Sequence, residues 1–208
     1  SSAPLSLYIR KYIDGKSWFA PEPDSVAPSS TNVYYHLDEN VAFEKLADYE
    51  AYLKKMGYYH QGAKKVLLIG GLNDPFSGNK QNLDSLITSL ERVGLNVYPV
   101  ASFADRLRFI KEVSPDLIIH FPHGRISMMG GDQVVSYLKE RNIPVIAPLT
   151  LMTSQEEWEN DPQGMMGSFL SQTIGVPELD GAIYPYVLTV EEKNADGLYV
   201  LKAIPERL

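Results

Sequence analysis

The chain has 208 residues with a net charge of −7, 44% hydrophobic and 22% charged residues, the balance of an ordinary globular protein. That acidity argues against a nucleic-acid interface, which needs a clustered basic face, and no apolar run approaches the ~18 residues of a membrane span. Cysteine is absent, which excludes disulfides, thiolate metal sites and a cysteine nucleophile.

The predicted elements begin with an opening strand in "PLSLYIRKYI", followed by a Pro- and Ser-rich surface loop or linker, "APEPDSVAPSSTN". In "DENVAFEKLADYEAYLKKMG", Phe43, Leu46, Tyr49, Leu53 and Met56 fall at helical spacing. Acids lead, lysines trail and Gly57 closes it, so a helix is expected with Asp38 or Asn40 as its cap. From Lys65 strands and helices alternate. "KVLLIGG" is a short apolar run ending in glycines, as a buried parallel strand requires. "NLDSLITSLERVG", "FADRLRFIKEV" and "DQVVSYLKER" read as helices, and "LNVYPV", "DLIIHF" and "PVIAP" as strands. "SQEEWEN" is a short helix with Ser154 leading and Glu157 three residues later, the pattern of a capping box. "PQGMMGSFLSQTIG" reads as helical, and 183–203 as two strands joined by "EEKNADG". There is no internal repeat.

This order predicts an α/β fold: a flavodoxin-like, doubly wound parallel sheet of order about 2-1-3-4, with an added N-terminal helix and added C-terminal strands. Three regions are expected. Residues 1–62 hold a strand, a linker and a helix. Residues 63–150 form the parallel sheet. Residues 151–208 hold a helical segment, the "PELDG" segment and two strands. The chain begins Ser1-Ser2-Ala3-Pro4 and stops at "IPERL", which reads as an internal piece of a longer polypeptide.

Ligands of such sheets bind beyond the carboxyl ends of the strands, where the strand order reverses. Two loops are expected there, "GGLNDPFSGNK" (70–80) and "HFPHGRISMMGG" (120–131). The first lacks the spacing of a dinucleotide or phosphate loop. The second gathers His120, His123 and Arg125. An H-x-x-H pair could hold a metal, but two ligands are too few. A His120 buried in the sheet and a surface His123 explain it as well. His36, in "YYHLDEN", reads on chemistry alone as a packing or capping residue, and His60 as a solvated one. Thirteen tyrosines, Tyr184 and Tyr186 among them, could line a flat aromatic ligand or fill a core. Met128, Met129, Met165 and Met166 offer adaptable apolar surface or ordinary packing.

The stretch "VPELDGAIYPYVL" (176–188) places Glu178 and Asp180 between Pro177 and Gly181. If extended, both carboxylates share a face, and two like charges would raise one pKa for acid/base work. If Asp180-Gly181 is a turn, Glu178 is a surface or capping residue. On the residues alone the turn is narrowly favoured.

"QTIGVPELDGAIYPYVL" resembles the large subunits of tetrapyrrole metal chelatases, namely the cobaltochelatase large subunit and the magnesium chelatase H subunit. "YYHLDENVAFEKLADYEAYLKK", "SGNKQNLDSLITSLERVGLNVYPVAS", "IPVIAPLTLMTSQEEWE" and the closing "IPERL" extend the resemblance from about Tyr34 to Leu208. The chain departs from the family pattern at Leu37, where proline is usual, and in "HFPHGR". The resemblance implies a fragment of a tetrapyrrole-binding, metal-inserting subunit, inactive when isolated. Its substrates would be a macrocycle and a divalent metal, Co2+ or Mg2+, and AAA+ ATPase-type partner subunits would use the ATP. It implies a cytoplasmic location and contact with the rest of the same polypeptide. It further implies Glu178 as proton acceptor or transient metal ligand, Asp180 as its helper and His36 as a weaker base or ligand. His120, His123, Arg125 and Tyr184 would be substrate-binding. Two alternatives stand beside this: a family member run in reverse, removing Fe2+ from haem, and a non-catalytic module that docks partner subunits.

Overall fold

The computed structural model describes residues 32–38, 41–70, 75, 76 and 79–208. The expected opening strand at 4–13 and nearly all of the Pro/Ser-rich stretch lie outside the described residues, as does most of the 70–80 loop. The strands are β1 (Asn32–Tyr35), β2 (Ala42–Phe43), β3 (Lys65–Ile69), β4 (Asn96–Ser102), β5 (Leu117–His120), β6 (Val145–Thr150), β7 (Ala182–Lys193) and β8 (Tyr199–Ala203). They form one sheet of order β2-β1-β4-β3-β5-β6-β7-β8. The run β4-β3-β5-β6-β7 is parallel, and β1, β2 and β8 join antiparallel at the two sides. Counted from β3, the first four parallel strands lie in the order 2-1-3-4 anticipated from the alternation of elements.

The core explains the parallel run. Side chains alternate across β3, so Leu67 and Ile69 face one layer while Val66 and Leu68 face the other, and all four are buried. On one face they meet α1 (Leu46–Met56), α3 (Arg106–Val113) and α4 (Gly131–Arg141) through Tyr49, Leu53, Phe109, Ile110, Val134 and Leu138. On the other they meet α2 (Gln81–Arg92) through Leu83, Leu86 and Ile87. Helices on both faces leave no wet side, which is why these strands read as continuous apolar runs.

Two sequence expectations need correction. The helix read from Asp38 onward begins only at Leu46, and its N-cap is Lys45, with no side-chain cap bond. Asp38 therefore does not cap it, and Asn40 lies outside the described residues. Ala42 and Phe43 instead pair with Tyr35 and Tyr34 of β1. β1 itself was not anticipated. It is held by Tyr34, which stacks on Tyr49 at 5.4 Å, meets Phe109 edge-on at 4.8 Å and donates to Glu112 at 2.9 Å. Several of the thirteen tyrosines thus serve the core: Tyr34, Tyr35, Tyr49 and Tyr98 are all buried.

Beyond β6, α5 (Gln155–Asn160) carries the expected capping box. Glu157 N donates to Ser154 Oγ, and Ser154 N to the Glu157 carboxylate. A single helical run then passes from α6 (Gly167–Leu170) through a π-helical turn (Ser171–Gly175) into α7 (Val176–Leu179). Pro177, which can donate no helical N–H, stands directly after the π-helical turn, where the regular α-helical bonding is already interrupted. No helix among the described residues is long and apolar enough to cross a membrane.

Candidate functional site

The segment Val176–Leu179 is helical, with Asp180 as its C-cap and Gly181 at φ +87° turning the chain into β7. This overturns the extended reading of "PELDG" and favours the turn. In a helix, residues two apart do not face each other, so the carboxylates part company. Asp180 points inward, its side chain 2% exposed, while Glu178 is exposed.

Asp180 is a latch. Its Oδ1 accepts from Arg125 Nε at 3.0 Å and Nη2 at 2.8 Å, and its Oδ2 accepts from the Ile126 amide at 2.9 Å. Arg125 Nη2 also donates to Asp132 at 2.8 Å. Hydrogen bonds to Asp180 and then Asp132 push the Arg125 pKa above its ordinary value. A Cβ at position 131 would lie 3.0 Å from Arg125 Cζ, so Gly131 gives the guanidinium room to reach its partners. The Gly124 amide donates to the Gln172 carbonyl in the π turn at 2.8 Å. The loop after β5 and the helix before β7 are thereby pinned together at two places.

The loop leads back to the switch point. β3 and β5 lie side by side, and the chain leaves β3 toward β4 on one side and β5 toward β6 on the other. Ile69 is level with Val100 and His120 at the carboxyl ends. His120 is buried there, with Nε2 3.4 Å from Nη1 of Arg106, whose Nη1 also donates to the Ile126 carbonyl at 2.7 Å. The Ile126 peptide therefore joins the two parts: its C=O accepts from Arg106 and its N–H donates to Asp180. Burial, with the Arg106 charge adding to it, drives the His120 pKa down to about 3.

That shift has a measurable sign. The folded imidazole stays neutral down to about pH 3, while in the unfolded chain it takes a proton near 6.5. The unfolded chain then binds more protons below pH 6.5, so the contribution is whole above that pH and shrinks as the pH falls toward 3, by about 1 kcal/mol per pH unit. Denaturant unfolding at pH 7, 6 and 5 should show a steeper loss for the parent than for His120→Gln. Parallel curves would exclude His120 as the source.

His123 is exposed whereas His120 is buried, so the H-x-x-H pair does not converge on one site. Among the described residues no three His, Asp or Glu side chains cluster as a metal site. His36 lies elsewhere. It is 1% exposed, bonded through Nε2 to Glu91 at 2.8 Å and boxed by Tyr58 at 4.6 Å and Tyr52 at 5.6 Å. Buried Lys80 donates to the His36 and Leu37 carbonyls. β1 stands five strand spacings from β7, roughly 24 Å at ~4.8 Å each. Within this chain His36 is thus not brought to Glu178, and its surroundings are those of a packing residue.

What surrounds Glu178 is apolar and open. Among the described residues its carboxylate has no hydrogen bond or ion pair. Leu179 is 82% exposed and Tyr184 is 71% exposed, with Ile183, Leu170 and Met166 also exposed on neighbouring stretches. Tyr184 sits at φ +53°, a left-handed conformation that a tyrosine adopts only under constraint, beside the register shift between β6 and β7. Pro177, Glu178, Thr173, Ile174, Ala182 and Pro185 line a crevice too narrow for a ligand. A flat molecule would have to lie across the open surface.

Sequence reading missed Arg106 and the π turn. Arg106 did leave a signal: it stands three, four and seven residues before Phe109, Ile110 and Val113, on the buried face of α3. The π turn left none.

Comparison with known proteins bears on this arrangement. Over 115 residues the chain is 29% identical to the aerobic cobaltochelatase subunit CobN of Sinorhizobium sp, covering 51% of this chain and 9% of that protein. Over 149 residues it is 26% identical to an uncharacterized protein of Methanocaldococcus jannaschii, covering 61% and 12%. The chain thus spans about a tenth of the length of these relatives. Its fold matches the catalytic subunit of cobaltochelatase from Mycobacterium tuberculosis with a TM-score of 0.63 at 16% identity, over 98% of this chain and 17% of that one. Residues 3–208 match the family described as CobN/Magnesium Chelatase, and the chain belongs to that family.

Proposed function

We propose that this chain is part of the tetrapyrrole-binding, metal-inserting subunit of a cobalto- or magnesium-chelatase-like enzyme, and that Glu178 works at the ring face. The observation that carries the reading is the contrast between two carboxylates two residues apart. Asp180 is consumed by Arg125 and the Ile126 amide. Glu178 is free, at the end of a helix broken by a π turn, a feature often found at functional sites.

Metal insertion removes two N–H protons from the macrocycle and brings a divalent ion to its face. A free carboxylate can accept a proton, or hold a hard or borderline metal substrate for a moment before release. Asp180 acts as a positioning residue through Arg125 and the loop. Tyr184, Leu179 and Ile183 offer flat apolar surface to the ring. Ligand pockets usually run ~300–1,000 Å3, and no such cavity adjoins Glu178 among the described residues. The remaining walls come from the rest of the polypeptide, and the 208 residues alone are inactive. ATP hydrolysis belongs to AAA+ ATPase-type partner subunits, and the assembly works in the cytoplasm.

The test is titration of the complete polypeptide with metal-free porphyrin and corrin rings, followed by Co2+ or Mg2+ insertion read by absorbance with the ATPase partner subunits and ATP present. Ring binding with insertion supports the reading. Release of iron from haem without insertion would replace it with the reverse reaction. No ring binding would leave a docking module.

A further inference from the structure

Arg106 is a buried guanidinium without an anion among the described residues. It opens α3 at 7% exposure. Nε donates to the Ser102 carbonyl at 2.9 Å, and Nη1 donates to the Ile126 carbonyl and faces His120. Among the described residues it forms no ion pair, and Nη2 has no partner. Arginine only donates, so His120 Nε2 accepts. The neutral ring then carries its proton on Nδ1, which also lacks an acceptor among the described residues. Buried charges are ordinarily paired, so an unpaired cation beside a second unused donor asks for an oxyanion. Both residues stand at carboxyl ends, on β5 and just after β4, either side of β3, where ligands of such sheets bind.

We propose that Arg106 is a substrate-binding residue that takes a carboxylate side chain from the rim of the tetrapyrrole. This rests on the ring-binding reading above and adds which part of the ring is recognised. The two N–H donors left on Nη2 can give charge-assisted hydrogen bonds to a carboxylate oxygen. Ser102, Ile126 and His120 hold the fork, which leaves the Nη2 edge for the ligand. The Ile126 peptide then links this edge to Asp180, so a ring gripped at Arg106 is set in register with the helix end that carries Glu178. Arg106 and Arg125 are thus not equivalent: Arg125 spends its donors on Asp180 and Asp132.

The experiment compares a porphyrin bearing free propionic acid side chains with its carboxamide, bound to the complete polypeptide. The parent should prefer the acid by about tenfold or more. Arg106→Gln should bring the two affinities within about twofold, and Arg106→Lys, which keeps the charge if the glutamine variant folds poorly, should fall between. An acid preference retained in both variants overturns the proposal, as does a parent with no preference. A carboxylate from elsewhere in the polypeptide would have the same chemistry. In that case the variants melt lower while the acid preference stays, and the substrate assignment falls. A second arm dispenses with the ring. Acetate is titrated into the 208-residue chain labelled with 15N-histidine. A saturable shift at His120, lost in Arg106→Gln, is expected, and no shift overturns the carboxylate site. An acetate response in a protein that binds neither porphyrin would instead refute the ring-binding reading and the substrate assignment with it.

Discussion

Replacing Glu178 with glutamine in the complete polypeptide is expected to lower the rate of metal insertion by about 10²–10⁴-fold, the usual range for loss of a proton acceptor, with the fold unchanged. The two halves of this expectation come from the same geometry. Glu178 is exposed and makes no hydrogen bond or ion pair among the described residues, so its replacement removes none of the contacts seen to hold α7, and surface changes of that kind stay within about 0.5 kcal/mol. Glutamine keeps the volume and polarity of the side chain but cannot accept the ring proton as a carboxylate does. Ring affinity should therefore hold while the rate of the metallation step drops. Single-turnover absorbance gives that rate, ring fluorescence the affinity, and far-UV dichroism the fold. A folded Glu178→Gln chain that inserts metal at the parental rate removes Glu178 from the chemistry.

The fold was legible wherever one residue type sufficed to mark a boundary. Gly94 closes α2 with φ +85°, Ser154 and Glu157 form their box, and the apolar runs 65–69 and 117–120 are buried on both faces. It failed where a contact across the sheet decides. Phe43 fits the spacing of α1, yet it pairs with Tyr34, because β1 supplies backbone partners that no local pattern announces. The site failed for the same reason. A period of two or of 3.6 sets whether Glu178 and Asp180 share a face, and what decides the matter is a guanidinium 55 positions earlier in the chain, drawing Asp180 inward. Family likeness pointed to the pair, and only the fold separated its members.

That separation predicts a different outcome for the second acid. Asp180→Asn should lower stability where Glu178→Gln does not. Both Asp180 oxygens accept, one from Arg125 and the other from the Ile126 amide. Asparagine offers one oxygen and one NH2, so either Arg125 or Ile126 must face a donor. Leaving the buried Ile126 N–H without an acceptor costs about 1–3 kcal/mol. Hydrogen exchange should quicken at Ile126, and thermal melting should shift down. Arg125→Met should add less in the Asp180→Asn background than alone, since the contact is already broken. Turnover should fall too, by a route distinct from that of Glu178. An unlatched α7 lets the Glu178 end wander, and a displacement of about 1 Å can cost 10²-fold in rate. Glu178→Gln therefore weakens the chemical step at unchanged stability, whereas Asp180→Asn loses stability and rate together. An Asp180→Asn protein with parental melting and a protected Ile126 amide would show that the latch does not hold the loop. The two carboxylates would then have to be assigned again from the ring side.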